Sequence, residues 1–422
     1  MLLSKTILTV YLAFFSLEFL FERVLTLLNI GNVNKNRKIP PFFKGHIDGK
    51  RYRKSQEYTI TTNKFSIIDS LVSAAVLLFI ILSGFFGYID RQIAGFGLTG
   101  YTHSIVYLIL VSLMFKLLSL PFSLYSSFVI EEKFGFNKMT LKTFFLDLLK
   151  SLMLSLLFSV PLLLGFFWFI DNTGELWWLF AFVFIITFQL FLTIIYPVFI
   201  APVFNKFKAL KDGELKEVLD SLARKLSFKI KDILVMDGSR RSRHGNAYFT
   251  GIGKTKRIVL FDTIIESLSP NQLAAVLAHE IGHQKRRHII KRFIVSFVML
   301  FVSFFVLGLI LRFDPLYRAF GFSGFSYHGI LIISGLCSGP FTFFFNPLFT
   351  SWSRRHEYEA DSFVVKNTSL SKDLKEGLIV LGMDNLTNLT PHPLYSFYHY
   401  SHPALYERIK AIERQEAICG KK

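Results

Sequence analysis

Seven apolar stretches of about twenty residues recur along the chain, and a nearly uncharged segment of that length is long enough to cross a bilayer as a helix. They run at about Ile7–Ile30, Leu71–Ile89, Ser104–Tyr125, Leu148–Ile170, Leu176–Ile200, Phe293–Leu311 and Gly329–Thr350. The chain is 52% hydrophobic with 49 Phe, and its mean hydropathy is +0.43. That composition excludes an ordinary soluble enzyme and points to a multispanning membrane protein. Glu18, Glu22 and Arg23 interrupt the first stretch and no small-residue cleavage site follows, so it reads as a span rather than a removed leader. Charges there are expected to face protein or a water-filled cavity. Lys116 and Pro121, Pro161, then Gln189 and Pro197 interrupt later spans, and Pro340 with Pro347 is expected to break the seventh. Prolines free carbonyls that neighbouring helices or water must satisfy; kinks for packing and a wet interior are both compatible with the pattern.

The net charge is +18. Much of the positive charge lies in a connector holding Lys35, Arg37, Lys38, Lys44, Lys50, Arg51, Arg53 and Lys54, which suits a cytoplasmic loop against anionic lipid. No arginine-rich tail or base-stacking module supports nucleic acid as a partner. The only two cysteines, Cys337 in a span and Cys419 in the tail, build neither a disulfide nor a cysteine metal site. The sequons at Asn367, Asn385 and Asn388 fall on the predicted cytoplasmic side and are expected to be unused.

Between the fifth and sixth spans lies a polar insert, Pro202 to His288. It reads as a helix over Asp212–Leu226, then strands at Ile233–Met236, Asn246–Thr250 and Arg257–Phe261, with a glycine-containing turn at 251–256 between the last two. Arg240, Arg241, Arg243 and His244 read as a solvated turn more readily than as a substrate-facing patch. Ser269-Pro-Asn-Gln272 then forms a capping box with proline at the first helical position, and Leu273, Val276 and Leu277 give the helix an apolar face. On this helix His279 and His283 are four apart, one turn apart on one side. Two neutral imidazoles so placed can occupy two corners of a zinc tetrahedron. Glu280 projects about 100° round from His279, able to take a proton from an attacking water without being a ligand. This is the H-E-x-x-H signature of zinc hydrolases on a well-formed helix. The helix is expected to run through His288 into the sixth span, so the site should lie at the membrane boundary. His288 falls off the face shared by the first two histidines, and the pattern that recruits a third histidine needs six residues and a glycine.

Beyond the seventh span, Arg354-Arg-His-Glu357-Tyr-Glu359-Ala-Asp361 places Glu357 and Asp361 on one helical face. A carboxylate on a second helix is a usual third zinc ligand, and a neighbouring carboxylate can orient a ligand histidine through its far nitrogen. A solvated, charged helix start fits the spacing equally well. His392 and His402 each precede a proline, so each sits in extended or turn backbone, where a loop histidine with no catalytic task is the default.

These motifs, with SQEYTITTNKF at Ser55–Phe65, LPFSLYSSFVIEEKFGFNKMT at Leu120–Thr140, the Pro202–Lys206 region, HGNAYFTG at His244–Gly251 and YSHPALYER at Tyr400–Arg408, resemble the type 1 CAAX prenyl protease family of membrane zinc endopeptidases. Ala404 stands where the family's motif has a second proline. The resemblance covers most of the chain. It implies an all-α multispanning protein, about seven transmembrane helices enclosing a chamber, with a small α+β metallopeptidase domain. It implies one zinc per chain held by His279, His283 and Glu357, with Asp361 behind a ligand and Glu280 as general base. It further implies His402 at the oxyanion, and Asn246, Ala247, Tyr248 and Arg408 toward the substrate. The expected layout is membrane helices one to five over 1–201, the metallopeptidase domain over 202–288, helices six and seven over 289–352, and the rest of the peptidase over 353–422. The expected partners are a peptide or protein substrate, possible prenylation included, and the bilayer. The positive-inside bias places the peptidase domain and C-terminus in the cytoplasm, at the endoplasmic reticulum or a bacterial inner membrane according to host. A bacterial membrane quality-control protease and a non-enzymatic zinc-containing transporter or receptor are the alternatives.

Overall fold

A computed structural model describes residues 1–251 and 257–420. The turn expected at 251–256 falls, past Gly251, outside the described residues. Among the described residues six helices are long and apolar enough to cross a membrane: Gly49–Leu82, Gly100–Phe134, Leu141–Asn172, Gly174–Phe204, His288–Ile310 and Tyr327–Asn367. A further 34-residue helix, Leu2–Lys35, carries the charged positions of the first stretch. Those charges face protein. Arg23 hydrogen-bonds Ser66 and Ser70 on the next long helix, and Glu22 lies 3.3 Å from His399. In five of the six apolar helices no more than 17% of the most hydrophobic window is buried. Ile68, Phe79, Met153, Leu157, Ile194, Val298 and Leu309 are exposed, as lipid-facing side chains must be.

Four sequence expectations change. The second span ends at Leu82; Gly84 adopts a left-handed turn, and Ile89 belongs to a separate helix, Phe85–Gly95. Its start lies inside the basic connector. Asp48 caps Lys50 and Arg51, so those residues with Arg53 and Lys54 form the opening turns of Gly49–Leu82 rather than a loop. The seventh span is not broken: Tyr327–Asn367 is one 41-residue helix through Pro340 and Pro347. The metal-motif helix, Pro270–Lys285, does not run into the sixth span. Arg287 takes a left-handed conformation (φ 56°) and His288 opens the next helix.

The sheet has the order β1-β2-β4-β3, with β1 Phe207–Ala209, β2 Asp232–Met236, β3 Ala247–Thr250 and β4 Arg257–Phe261. β1 pairs antiparallel to β2, β2 parallel to β4, and β3 antiparallel to β4. β3 is therefore an edge strand, with its second side unpaired in the sheet. The insert helix, Glu214–Lys225, packs with β2, β4, the Pro270–Lys285 helix, Val364, Leu374 and Ile412 in one apolar core. Residues before and after the last two spans thus build one unit. Phe43 and Ile47 of the basic connector pack on Met383, Leu405 and Ile409, and Arg51 pairs with Asp384 at 2.7 Å. The connector and the peptidase unit therefore lie on the same side of the span bundle.

Candidate metal centre

The capping box expected at the start of the Pro270–Lys285 helix is present in both directions, Ser269 with Gln272. The helix crosses Tyr327–Asn367 closely because Gly282 has no side chain. A Cβ there would lie 3.2 Å from the Cα and the carbonyl oxygen of Ala360. Glu357 and Asp361 flank that contact on the opposing helix, so the crossing is what brings two histidines of one helix to a carboxylate of the other. The role of Gly282 was legible only as a small residue between two histidines. Gly282→Ala is expected to separate the helices by a few tenths of an ångström, destabilise the fold by about 1–3 kcal/mol and lower metal occupancy; thermal unfolding and metal analysis of the purified variant check this.

His279 Nε2 and His283 Nε2 lie 3.1 Å apart. Glu357 places Oε2 3.4 Å from His279 Nε2 and Oε1 3.3 Å from His283 Nε2. Glu357 is 2% exposed, and its Oε2 has no hydrogen-bond partner. Ligand atoms about 2.0–2.2 Å from a tetrahedral ion are about 3.3–3.6 Å apart, so these separations suit a zinc-sized cation. Two inward-facing ring nitrogens and an unpartnered buried carboxylate oxygen are a donor set that a cation satisfies.

Asp361 Oδ1 lies 2.8 Å from His279 Nδ1. It fixes that nitrogen as the protonated one and turns Nε2 inward. Burial alone would push the His279 imidazole down, but Asp361, by charge and hydrogen bond, and then Glu357 hold it up at about 9. Arg408 is buried, donates to Asp361 at 2.9 and 2.7 Å, and sits 3.8 Å from Glu357. Its guanidinium, expected among the substrate-binding residues, lines the site cavity and is also tied to the carboxylate behind His279.

The left-handed residue Arg287 swings His288 back behind His283. The two Nδ1 atoms are 2.9 Å apart, and His288 Nε2 meets Glu359 at 3.1 Å. In a continuous helix His288 would point elsewhere; the helix break is what the sequence did not reveal. His288 therefore stands outside the group of converging donor atoms and contacts one of its members. His288→Ala is expected to keep the ion at saturating metal while weakening its affinity about 10- to 100-fold, measured by competition with a chelator.

A cavity of about 410 Å³ opens beside these residues. His279, Glu280, Glu357, His402 and Arg408 line it together with Asn246 and Ala247 of the β3 edge. His402 leans over the site with Nε2 3.5 Å from Glu357, its side chain 64% exposed; Ser401 Oγ is 3.0 Å from its Nδ1. Tyr248 lies on β3, its ring 6.3 Å from Phe261. His392, by contrast, caps a short helix, Pro393–His399, through Leu394.

A many-helix membrane body joined to a histidine–carboxylate site on a small α+β unit defines an integral-membrane metalloendopeptidase. Residues 29–206 match the model described as CAAX prenyl protease N-terminal, five membrane helices, and residues 209–416 match peptidase family M48. The chain is 37% identical to CAAX prenyl protease 1 of Saccharomyces cerevisiae over 94% of its length and 93% of that protein's. It is 33% identical to the CAAX prenyl protease 1 homolog of Homo sapiens, over 89% and 88% of the two chains. The crystal structure of S. mikatae Ste24p matches with a TM-score of 0.90 at 37% identity, covering 97% of this chain and 99% of that one. The chain belongs to the CAAX prenyl protease 1 branch of the M48 metallopeptidases.

Proposed function

We propose that this metalloendopeptidase uses zinc and removes the C-terminal tripeptide of prenylated CAAX-type proteins at the membrane boundary. The observation that carries the reading is the convergence of His279, His283 and Glu357 on one buried point beside a cavity bordered by an open strand edge. His279, His283 and Glu357 would hold one zinc. When bound, zinc polarises the scissile carbonyl and acidifies the attacking water. Glu280, half-buried on the cavity wall, accepts the water's proton and passes it to the leaving amine. In the tautomer that accepts the Ser401 hydroxyl at Nδ1, His402 keeps Nε2–H to steady the oxyanion. The peptide extends along the free edge of β3, with Ala247 and Tyr248 offering main-chain groups and Asn246 its side chain. Arg408 acts through Asp361 on the orientation of His279.

The apolar helices beside the unit suit a hydrophobic substrate group. Each CH₂ taken out of water contributes about 0.8 kcal/mol, so a farnesyl group adds several kcal/mol. A matched pair of peptides with and without farnesyl, given to the purified protein, is expected to differ at least about 100-fold in kcat/KM. Equal rates would remove prenyl recognition and leave the peptidase standing. The side that the peptidase unit shares with the basic connector supports a cytoplasmic location for it. Labelling of Lys44→Cys and Lys410→Cys from one face only, the cytoplasmic one, checks that placement; labelling from opposite faces contradicts it.

A further inference from the structure

A second cluster of metal-binding side chains lies far from the first. His328 and Glu357 are 29 residues apart on the same helix, about 44 Å at 1.5 Å per residue. At the His328 end, the helix Phe85–Gly95 contributes Asp90 and the start of Gly100–Tyr125 contributes His103. Asp90 Oδ1 is 2.7 Å from His103 Nε2 and 3.0 Å from His328 Nε2. Together with His279, His283 and Glu357, this is one of two such groups whose donor atoms all lie within 4.8 Å of one another among the described residues.

The far nitrogens are both occupied. His103 Nδ1 is 3.2 Å from the Leu98 carbonyl, which can only accept, so that nitrogen carries a proton. His328 Nδ1 is 3.1 Å from the Ser104 hydroxyl. A neutral His103 then turns a lone pair toward the Asp90 carboxylate, an arrangement that requires a positive charge between them. His328 is 2% exposed, and its Nε2 has no hydrogen-bond partner although Asp90 is near. Glu357 Oε2 at the first site shares this feature, a buried donor atom with no hydrogen-bond partner. The separations are a few tenths of an ångström short of the edges of a zinc tetrahedron, within reach of a small turn of the Asp90 side chain. Asp90 and His103 keep 20% and 13% side-chain exposure, so an ion can enter from solvent. The Tyr107 ring, 4.1 Å from His328, closes the other side.

We propose that Asp90, His103 and His328 bind a second divalent transition-metal ion of the zinc type, at the end of the helix bundle opposite the peptidase site. The ion ties three helix ends together and completes its coordination with water. It has no connection to the catalytic base and no part in the hydrolysis.

Tag-free protein equilibrated with micromolar free zinc, then freed of unbound metal, is measured by elemental analysis. Wild type is expected to hold two zinc ions per chain, and Asp90→Asn and His103→Gln one fewer each. His283→Ala is expected to keep one, and loses it when combined with Asp90→Asn. Wild type with one zinc, and no difference on Asp90→Asn, would overturn the proposal and leave the cluster as an ion pair between Asp90 and a protonated His103. The wild-type count requires no variant to fold. The difference made by Asp90→Asn is independent of whether the first site is catalytic.

Discussion

Glu280→Gln is expected to lower kcat by about 10⁴-fold, the upper end for a lost general base, with metal content unchanged. Glutamine keeps the shape and loses only the ability to accept a proton. Among the described residues no ion pair or hydrogen bond ties the Glu280 carboxylate down, while the ligand atoms come from its neighbours. The substitution therefore leaves no buried partner unsatisfied, and the thermal midpoint should not move. A structural metal site would have no use for a base at this position. Steady-state kinetics on one peptide, with metal analysis of the same preparation, reads both halves; activity within tenfold of wild type would remove Glu280 from the chemistry.

Glu357→Ala carries the second large effect, loss of the metal itself. This carboxylate is the only acid in the inner group, and it faces both ligand histidines. Without it two ring nitrogens face each other in a buried space, and Arg408 loses its second acidic neighbour. The fall in metal affinity at this site should exceed the about 10- to 100-fold caused by losing an orienting partner, so purified protein should arrive with the His279–His283 site nearly empty and inactive. Glu359→Ala is the control. Glu359 touches His288 and Arg355 rather than the inner group, and its variant should still load at saturating metal. Full zinc occupancy and activity in Glu357→Ala would assign the third ligand elsewhere.

The apolar spans, the capping box, the i, i+4 histidines and the Glu357–Asp361 face were legible because each is a local periodicity with a direct structural consequence. Even so, spacing alone left Glu357 balanced between ligand and surface charge. Its assignment needs the crossing at Gly282, a long-range contact that no local pattern encodes. His288 was kept out of the ligand set and given no task; its place behind His283 follows from a left-handed arginine, which is not foreseeable from its neighbours. Arg408 was expected at the substrate and lines the cavity; its hold on a carboxylate 47 residues away had no local signal. Pro340 and Pro347 were read as breaks, yet the 41-residue helix passes through both. β1 is three residues long and had no alternating pattern to find.

The most direct measurement of the central claim is mass spectrometry of a farnesylated peptide ending in a CAAX-type sequence, incubated with the purified protein. The account predicts a single cut that releases the C-terminal tripeptide, abolished by chelation, restored by zinc and absent in Glu280→Gln. Release of that tripeptide by fully chelated protein or by Glu280→Gln at the wild-type rate would contradict it.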